Sequence, residues 1–248
     1  MAVSNLYRAL RRGTALKALA GREPFPWVTP RPAVVEMGSR YGGWAVDASR
    51  LDASSTVASF GLGEDVSFEL ALSERFGCRI LGFDPTPRSV AYVREHVPPG
   101  RLGCHALALG TEDGTLTFHA PPAEAADQVS ASSVARYGAS GGSAYEVPCR
   151  RLSTIRREFG IDRLDVLKMD IEGAEYAVIE QLAGDGSLDE VSQLLVEFHH
   201  FLPGLAAAQT RQATATLLAQ GFAIAWVGRT NHEYLFVRER AARAGDGR

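Results

Sequence analysis

The sequence has little cysteine, almost no lysine and no long apolar run, and each shortage narrows the class of protein. Only 3 cysteines occur among 248 residues, and such an odd, scattered set favours free thiols in a reducing cytoplasm over a disulfide framework. No apolar stretch approaches the roughly 20 residues of a membrane helix, so no membrane span is expected. The formal net charge of −3 lacks the basic excess of a dedicated nucleic-acid binder. We therefore expect a cytoplasmic protein without a nucleic-acid partner.

The length and the hydrophobic content of 46% suit one α/β domain with modest additions. Residues 1–22 carry basic charges without any acid and show a partial apolar stripe, which predicts a basic helix. Residues 23–33 hold four prolines and predict an extended linker. The main domain is expected at residues 34–240, followed by a disordered tail at residues 241–248. Arginine greatly outnumbers lysine, a bias typical of GC-rich bacterial genomes.

Residues 164–175 predict an apolar strand that ends in carboxylates and runs directly into a helix. In an open parallel sheet, ligands bind at the carboxyl ends of the strands. Asp170 and Glu172 follow this strand, and Glu175 lies in the first helical turn, where an acid favours the positive end of the helix. Lys168 and Asp170 are charges on a mostly buried strand, which are unfavourable unless they are paired or used. We interpret this segment as part of a functional site.

A glycine turn follows a short apolar strand at residues 56–60. Gly61 and Gly63 let the backbone approach a ligand closely, and the helix that follows supplies free N–H donors. Asp84 ends the next predicted strand about twenty residues later, where nucleotide-binding folds place an acid that binds ribose. The spacing indicates a nucleoside site. Tyr41, in a Tyr-Gly-Gly-Trp loop, could reach the carboxylate of a cofactor or belong to a packed turn.

The remaining segments continue the alternation of strands and helices. Together they predict a doubly wound, mostly parallel Rossmann-like α/β sheet, with helices on both faces and a closing antiparallel strand pair. The other predicted helices span residues 66–75, 89–96 and 205–219, and the other strands span 103–109, 116–119, 191–198, 222–227 and 234–237. Residues 120–144 are rich in Ala, Ser and Gly, which is typical of a disordered insert or a mobile lid. Tyr137 and Tyr145 are the aromatic residues expected to touch a ligand beneath such a lid.

In this order, the segments resemble the FkbM-type S-adenosylmethionine-dependent methyltransferases, which belong to the class I Rossmann-like group. The resemblance covers roughly residues 34 to 237 and rests on residues 59–65, 82–87, 106–110, 113–114, 132–133, 147–152, 165–175 and 197–199. It implies S-adenosylmethionine as the cofactor and the following contacts to it: Tyr41, Ser59, Gly61, Gly63, Glu64, Asp65, Asp84 and Pro85.

Two departures from the class I pattern concern the glycine turn. The acid that usually opens the motif is Ser59 here, and Asp65 replaces the third glycine. The resemblance therefore implies that Glu64 or Asp65 binds the ammonium group of the cofactor. A non-catalytic nucleoside-binding module of the same fold stays open because of Ser59. An NAD-dependent oxidoreductase is a further alternative, although it lacks support from a complete G-x-G-x-x-G motif and leaves residues 164–175 unexplained.

Methyl transfer to a hydroxyl requires that the acceptor is aligned and loses its proton. The predicted catalytic residues are Asp170, Glu172 and His199, with His199 as general base because its reference pKa lies near neutrality. Alternatively, Asp170, Glu197 and His199 hold a divalent cation that lowers the pKa of the hydroxyl. The expected acceptor is a small molecule, such as a sugar or a secondary metabolite. A homo-oligomeric assembly is left open.

Overall fold

The computed structural model describes residues 21–24, 26–119 and 144–239. Three predicted features lie wholly or almost wholly outside these residues: the basic helix in residues 1–22, the lid at residues 120–144 with Tyr137, and the tail at residues 241–248. Residues 26–33 contain neither helix nor strand. Within the described part of the chain, no helix has both the length and the apolar character needed to cross a membrane.

Strands and helices alternate through most of the described chain. In chain order the elements are β1 (Val34–Met37), β2 (Trp44–Asp47), a short 3-10 helix (Ala48–Arg50), β3 (Thr56–Phe60), α1 (Ser67–Phe76), β4 (Arg79–Phe83), α2 (Pro87–His96), β5 (Gly103–His105), β6 (Ala108–Leu109), β7 (Gly114–His119), β8 (Ala144–Arg150), α3 (Leu152–Phe159), β9 (Leu164–Met169), α4 (Glu175–Gly184), β10 (Val191–Glu197), α5 (Ala207–Ala219), β11 (Phe222–Val227) and β12 (Glu233–Arg238).

The central sheet has seven strands in the order β11-β12-β10-β9-β3-β4-β5. Strands β3, β4, β5, β9 and β10 run parallel, whereas β12 is antiparallel to both of its neighbours. The predicted mostly parallel sheet with a closing antiparallel pair is therefore confirmed. The chain adds β4 and β5 on one side of β3, then returns to add β9 and β10 on the other. The carboxyl ends of β3 and β9 consequently flank the topological switch point, where open α/β sheets bind ligands.

Helices cover both faces of this sheet, as predicted, because alternate strand residues point to opposite sides. Val57 and Val166 pack in one apolar cluster, which also contains residues of β1, β2, α1 and α2, such as Phe68 of α1 and Val93 of α2. Their neighbours Ala58 and Leu167 pack in the other cluster with α3, α4 and α5. Every residue of β9 is buried, which explains why four of its six residues are apolar, the exceptions being Asp165 and Lys168.

The predicted strand at residues 103–109 is in fact two strands in different sheets. The amide of Leu107 donates to the carbonyl oxygen of His105 at 2.9 Å, and this tight turn redirects the chain between β5 and β6. Strand β6 then pairs with β8 in a separate three-stranded sheet, in which β8 also pairs with β7, in the antiparallel direction. Tyr145 of β8 packs against Phe118 of β7, with ring centroids 6.2 Å apart.

Candidate functional site

A cavity of about 1100 Å³ opens at the carboxyl ends of the central parallel strands. Gly61 enters it after β3, Asp84 after β4, Asp170 after β9 and His199 after β10. The loop between β1 and β2, which contains Tyr41, also lines it. This is the location that the strand order favours for a ligand site. The structure thus brings both halves of the predicted site, the glycine turn and the carboxylate segment, to one cavity.

The glycine turn lies directly against the end of β9. Gly61 has a φ of 79° and Gly63 a φ of 58°, in the left-handed region that glycine adopts without strain. A Cβ atom at Gly61 would also collide with the carbonyl oxygen of Asp170. A side chain at Gly61 would therefore separate the turn from the β9 terminus and reshape the cavity.

Asp84 is buried and holds the glycine turn in place. Its Oδ2 atom accepts hydrogen bonds from the amides of Leu62 at 2.9 Å and Gly63 at 3.0 Å. Its Oδ1 atom accepts one from the amide of Thr86 at 2.8 Å. A carboxylate oxygen has room for two hydrogen bonds, so Oδ1 can accept one more from a ligand hydroxyl. The role of Asp84 toward ribose stays a prediction, but the residue also has a structural role in the turn.

Ser59 lies elsewhere than the sequence suggested. It is fully buried and is not among the described residues that line the cavity. Its hydroxyl donates to Glu69 Oε1 of α1 at 2.6 Å. Lys168 Nζ lies 3.7 Å from the same oxygen and donates to the carbonyl oxygen of Gly61 at 2.7 Å. The expectation that Ser59 contacts a cofactor is therefore corrected: Ser59, Glu69 and Lys168 support the glycine turn from behind.

Asp65 joins the glycine turn to the loop between β1 and β2. Its Oδ2 atom accepts hydrogen bonds from the Ser39 hydroxyl at 2.5 Å and the Gly42 amide at 3.2 Å, and Oδ1 accepts from the Ser67 amide at 3.0 Å. Burial alone would raise the pKa of Asp65, but these hydrogen bonds outweigh it and the pKa is lowered. The carboxylate is thus stably ionised at the cavity wall. Tyr41 is carried by the same loop and is 94% exposed.

Glu64 and Pro85 line the cavity on the other side of the glycine turn. Glu64 already has a cationic partner, because Arg88 Nε and Nη2 lie 2.6 and 2.9 Å from its two carboxylate oxygens. This bidentate pair satisfies the charge of Glu64. Of the two acids expected to bind a ligand ammonium group, Asp65 is therefore the better placed.

His199 sits at the centre of four carboxylates that come from β9, β10 and the start of α4. Its Nδ1 atom lies 2.6 Å from Glu175 Oε1. Its Nε2 atom lies 3.7 Å from both Asp170 Oδ1 and Glu172 Oε2. Glu197 lies close enough to Asp170 that each carboxyl group affects the pKa of the other. Strands β9 and β10 are neighbours in the sheet, so their carboxyl ends together form a strongly acidic rim.

Glu175 has a role that sequence reasoning missed, and Glu172, predicted as a catalytic residue, occupies a strained turn. Glu175 was interpreted as a helix-terminal acid, yet it is fully buried and also accepts the Gly173 amide at 3.2 Å while it binds His199. Glu172 adopts a φ of 54°, a left-handed conformation that is strained for a residue with a side chain. This strained turn places the Glu172 carboxylate opposite His199 Nε2. An acid at the buried start of an otherwise apolar helix was the available signal for Glu175.

The carboxylates change the protonation of the whole cluster. Burial alone would lower the pKa of His199, but Glu175, followed by Asp170 and Glu197, raises it to about 10. Burial, reinforced by the charge of Asp170, raises the pKa of Glu197 to about 9. Burial also raises the pKa of Asp170. The raised pKa favours the protonated form of His199 at neutral pH, which does not suit a general base, so the catalytic role of His199 stays a prediction.

Replacing Glu197 with glutamine is expected to stabilise the protein at alkaline pH. The folded protein keeps a proton on Glu197 up to a pKa of about 9, whereas the unfolded chain loses it near the ordinary value of 4.5. The free energy of unfolding must then fall as the pH rises between these two values, and glutamine removes that contribution. We expect nearly equal stability near pH 5 and a gain that grows by roughly 1.4 kcal/mol per pH unit, reaching several kcal/mol at pH 9. Urea denaturation in the presence of a chelator measures this difference.

The matched control for Glu197→Gln is Glu158→Gln, which removes a carboxylate from the exposed ion pair with Arg150. That substitution should leave the pH dependence of unfolding unchanged, because an exposed pair contributes little. A Glu197→Gln variant that parallels the native protein at every pH would contradict the raised pKa of Glu197.

Two groups of metal-ligating side chains converge within the described residues. In the cavity, one ligand atom each from Asp170, Glu172 and His199 lies within 4.8 Å of the others. Glu197 was predicted in this set instead of Glu172, and it lines the cavity next to Asp170. The second group lies outside the cavity and consists of Glu23, His200 and His232.

Parts of this sequence match known proteins. Residues 57–224 match the family model described as the Methyltransferase FkbM domain. Probable methyltransferase-like protein 24 from Rattus norvegicus and its counterpart from Homo sapiens are each 32% identical over 147 residues, which is 59% of this chain and 33% of the relative. The chain thus spans about a third of the length of these curated relatives.

Among solved structures, the methyltransferase FkbM of Methylobacillus flagellatus KT is similar to this chain with a TM-score of 0.47 and 13% sequence identity. That similarity covers 75% of this chain and 44% of the other. The family match extends from β3 to β11 and so contains the glycine turn, Asp84 and the acidic rim. The chain belongs to the FkbM methyltransferase domain family.

Proposed function

We propose that this protein transfers a methyl group from S-adenosylmethionine to a hydroxyl oxygen of a small molecule, such as a sugar or a secondary metabolite. One observation carries the proposal: the glycine turn with Asp84 and the acidic rim around His199 face the same cavity at the switch point of the sheet. The first half suits a nucleoside, and the second suits the removal of a proton. Membership of the FkbM family supports the transfer of a methyl group.

The cofactor would lie along the ends of β3 and β4. The exposed face of the turn at Gly61 and Gly63 admits a ligand close to the backbone, and the second acceptor position of Asp84 Oδ1 suits a ribose hydroxyl. The ionised carboxylate of Asp65 would attract the ammonium group. When bound, the cofactor supplies an activated methyl carbon, so the protein has to align the acceptor with that carbon and remove its proton.

The acceptor hydroxyl would meet the rim at the ends of β9 and β10. His199 directs Nδ1 to the buried carboxylate of Glu175 and leaves Nε2 facing Asp170 and Glu172. Histidines that bind a metal commonly give their other N–H to a carboxylate in this way. We therefore favour a divalent cation held by Asp170, Glu172 and His199, which would lower the pKa of the acceptor hydroxyl. Without a cation, a rim carboxylate would have to take the proton, because His199 already holds one.

Replacing Asp84 with alanine is expected to weaken the binding of S-adenosylhomocysteine by about 30-fold. This corresponds to roughly 2 kcal/mol, the range for losing charge-assisted hydrogen bonds. Titration calorimetry with the product cofactor measures the loss. The control is Asp52→Ala, because Asp52 also accepts a backbone hydrogen bond in a turn but lies outside the cavity. Equal affinity in Asp84→Ala and native protein would refute the ribose assignment.

The same calorimetry separates the competing functions. Binding of S-adenosylhomocysteine without binding of NAD supports methyl transfer. The reverse result would identify an oxidoreductase, and binding of neither would indicate a module that has kept the fold without the chemistry. A screen of hydroxylated small molecules with labelled S-adenosylmethionine then tests the acceptor class directly.

A further inference from the structure

Glu23, His200 and His232 form a compact group next to the acidic rim, but outside the residues that line the cavity. Glu23 belongs to the segment that precedes β1, His200 directly follows the rim at the end of β10, and His232 directly precedes β12. One ligand atom from each lies within 4.8 Å of the other two, and His200 Nε2 is 3.1 Å from Glu23 Oε2. Three distant parts of the chain thus bring ligating atoms to one point.

His200 is oriented by a second layer of hydrogen bonds. Its Nδ1 atom lies 3.2 Å from Thr210 Oγ1, and that hydroxyl is 3.1 Å from the Tyr176 hydroxyl. Thr210 is fully buried in α5, so its position is fixed by packing. Nε2–H donates to the carboxylate of Glu23 in this geometry. A metal ion bound between the two would replace that proton, and Nδ1–H would then donate to Thr210, which is the usual arrangement of a histidine that binds a metal.

Glu23 and His232 are also held in place. Asn231 Nδ2 donates to Glu23 Oε2 at 3.2 Å and to the carbonyl oxygen of Pro24 at 3.1 Å, from a left-handed backbone with a φ of 69°. The ring of His232 stacks on Phe201 with centroids 4.4 Å apart.

We propose that Glu23, His200 and His232 bind one divalent transition-metal ion of the Zn²⁺ type. Two imidazole nitrogens and one carboxylate oxygen are ligands that Zn²⁺ prefers, at about 2.0–2.2 Å from the ion. Such distances set the ligand atoms roughly 3.3–3.5 Å apart. His200 Nε2 and Glu23 Oε2, at 3.1 Å, are already about that close, and the third ligand atom lies within 4.8 Å of both. The rim around His199 differs, because its excess of carboxylate oxygens favours Mg²⁺ or Mn²⁺.

The ion would fasten the segment before β1 to the edge of the sheet that carries the acidic rim. Glu23 and His200 are separated by 177 positions in the sequence. Binding to the folded chain alone stabilises it by mass action, so the midpoint of thermal unfolding should rise with the concentration of free Zn²⁺. Cysteine competes poorly for the ion, because burial raises the pKa of Cys104, the most exposed of the three thiols, to about 11.

The test uses the full chain without a histidine tag, stripped of metal and titrated with Zn²⁺ against a chromophoric chelator. We expect one Zn²⁺ ion per chain with micromolar or tighter affinity and an accompanying rise in the unfolding midpoint. His232→Ala and Glu23→Gln should each weaken binding by about 100-fold or more, since even partners outside the ligand set contribute 10- to 100-fold. The control is His96→Ala, because His96 lies on α2 and contacts Tyr92 instead of the group.

Each outcome decides the proposal, and none depends on methyl transfer, because the titration contains neither cofactor nor acceptor. Unchanged Zn²⁺ affinity in His232→Ala and Glu23→Gln would overturn it, as would the absence of binding in the native chain. Loss of binding in Asp170→Asn with retention in His232→Ala would assign the ion to the cavity and would equally overturn it. If His232→Ala fails to fold by circular dichroism, Glu23→Gln on the surface segment carries the test.

Discussion

Replacing Asp170 with asparagine is expected to lower the rate of methyl transfer by roughly 10²- to 10⁴-fold, the contribution of a positioned acid–base group. The substitution keeps the shape of the side chain and removes its charge at the point where Asp170 Oδ1 faces His199 Nε2. It should cost little stability, because burial raises the pKa of Asp170 and the charged form is therefore not strongly favoured by the fold. A large loss of turnover with a small change in the free energy of unfolding is the signature of a functional group.

The measurement compares turnover, urea denaturation and cofactor affinity for Asp170→Asn and the native protein. Glu158→Gln serves as the control, since it makes the same chemical change in an exposed ion pair away from the cavity. A normal rate in Asp170→Asn would reduce Asp170 to an electrostatic neighbour of Lys168. Chelation of the native protein then separates the two routes of proton removal. Activity that is lost on chelation and restored by Mg²⁺ or Mn²⁺ supports a cation, whereas unaffected activity assigns the proton to a rim carboxylate.

Local sequence patterns were sufficient to locate the strands of the central sheet along the chain. The apolar run of β9, the glycines at 61 and 63 and the acid at 84 each express a constraint that acts within a few residues: burial, a left-handed turn or the end of a strand. Such constraints restrict the residue type at each position, and contacts elsewhere in the fold cannot remove that restriction. The prediction of a single strand at residues 103–109 was wrong for the opposite reason. The break between β5 and β6 follows from the pairing of β6 with β8, which no local pattern contains.

The electrostatic character of the site could not be predicted in this way, because it depends on the register between strands. Ser59 pairs with Lys168 across β3 and β9, so both side chains point to the same face of the sheet as Glu69 of α1. The glycine motif alone suggested that Ser59 faces the ligand. Likewise, the raised pKa of His199 arises from Glu175, 24 positions away in sequence, and no reference pKa contains that contact.

Lys168→Met is expected to lower the free energy of unfolding by about 3–5 kcal/mol, the usual effect of removing one partner from a buried ion pair. Methionine preserves most of the volume but leaves Glu69 as a buried charge with Ser59 as its described donor. It also removes the hydrogen bond to the Gly61 carbonyl oxygen and the contact of Nζ with the Trp44 ring, 5.5 Å from the ring centroid. Urea denaturation at neutral pH measures the change.

A shorter ion pair on the surface provides the control for Lys168→Met. Arg88 lies 2.6 Å from Glu64, which is closer than the 3.7 Å between Lys168 and Glu69, but Arg88 and Glu64 are both partly exposed. Arg88→Met should therefore lower the free energy of unfolding by no more than about 1 kcal/mol. If Lys168→Met is equally mild, the buried pair does not support the glycine turn and the structural role given to Lys168 is wrong.

The double variant Lys168→Met, Glu69→Gln isolates the cause of the instability. Glutamine can still accept the hydrogen bond of the Ser59 hydroxyl but carries no charge. If the uncompensated charge of Glu69 causes most of the loss in Lys168→Met, the double variant should recover a large part of it, whereas Glu69→Gln alone should be destabilising because it leaves the buried ammonium of Lys168 without its partner. If the double variant recovers no stability, the loss of the hydrogen bond to the Gly61 carbonyl oxygen is the cause of the instability. In that case the double variant, although folded, should still bind S-adenosylhomocysteine weakly, because the glycine turn would have lost its support.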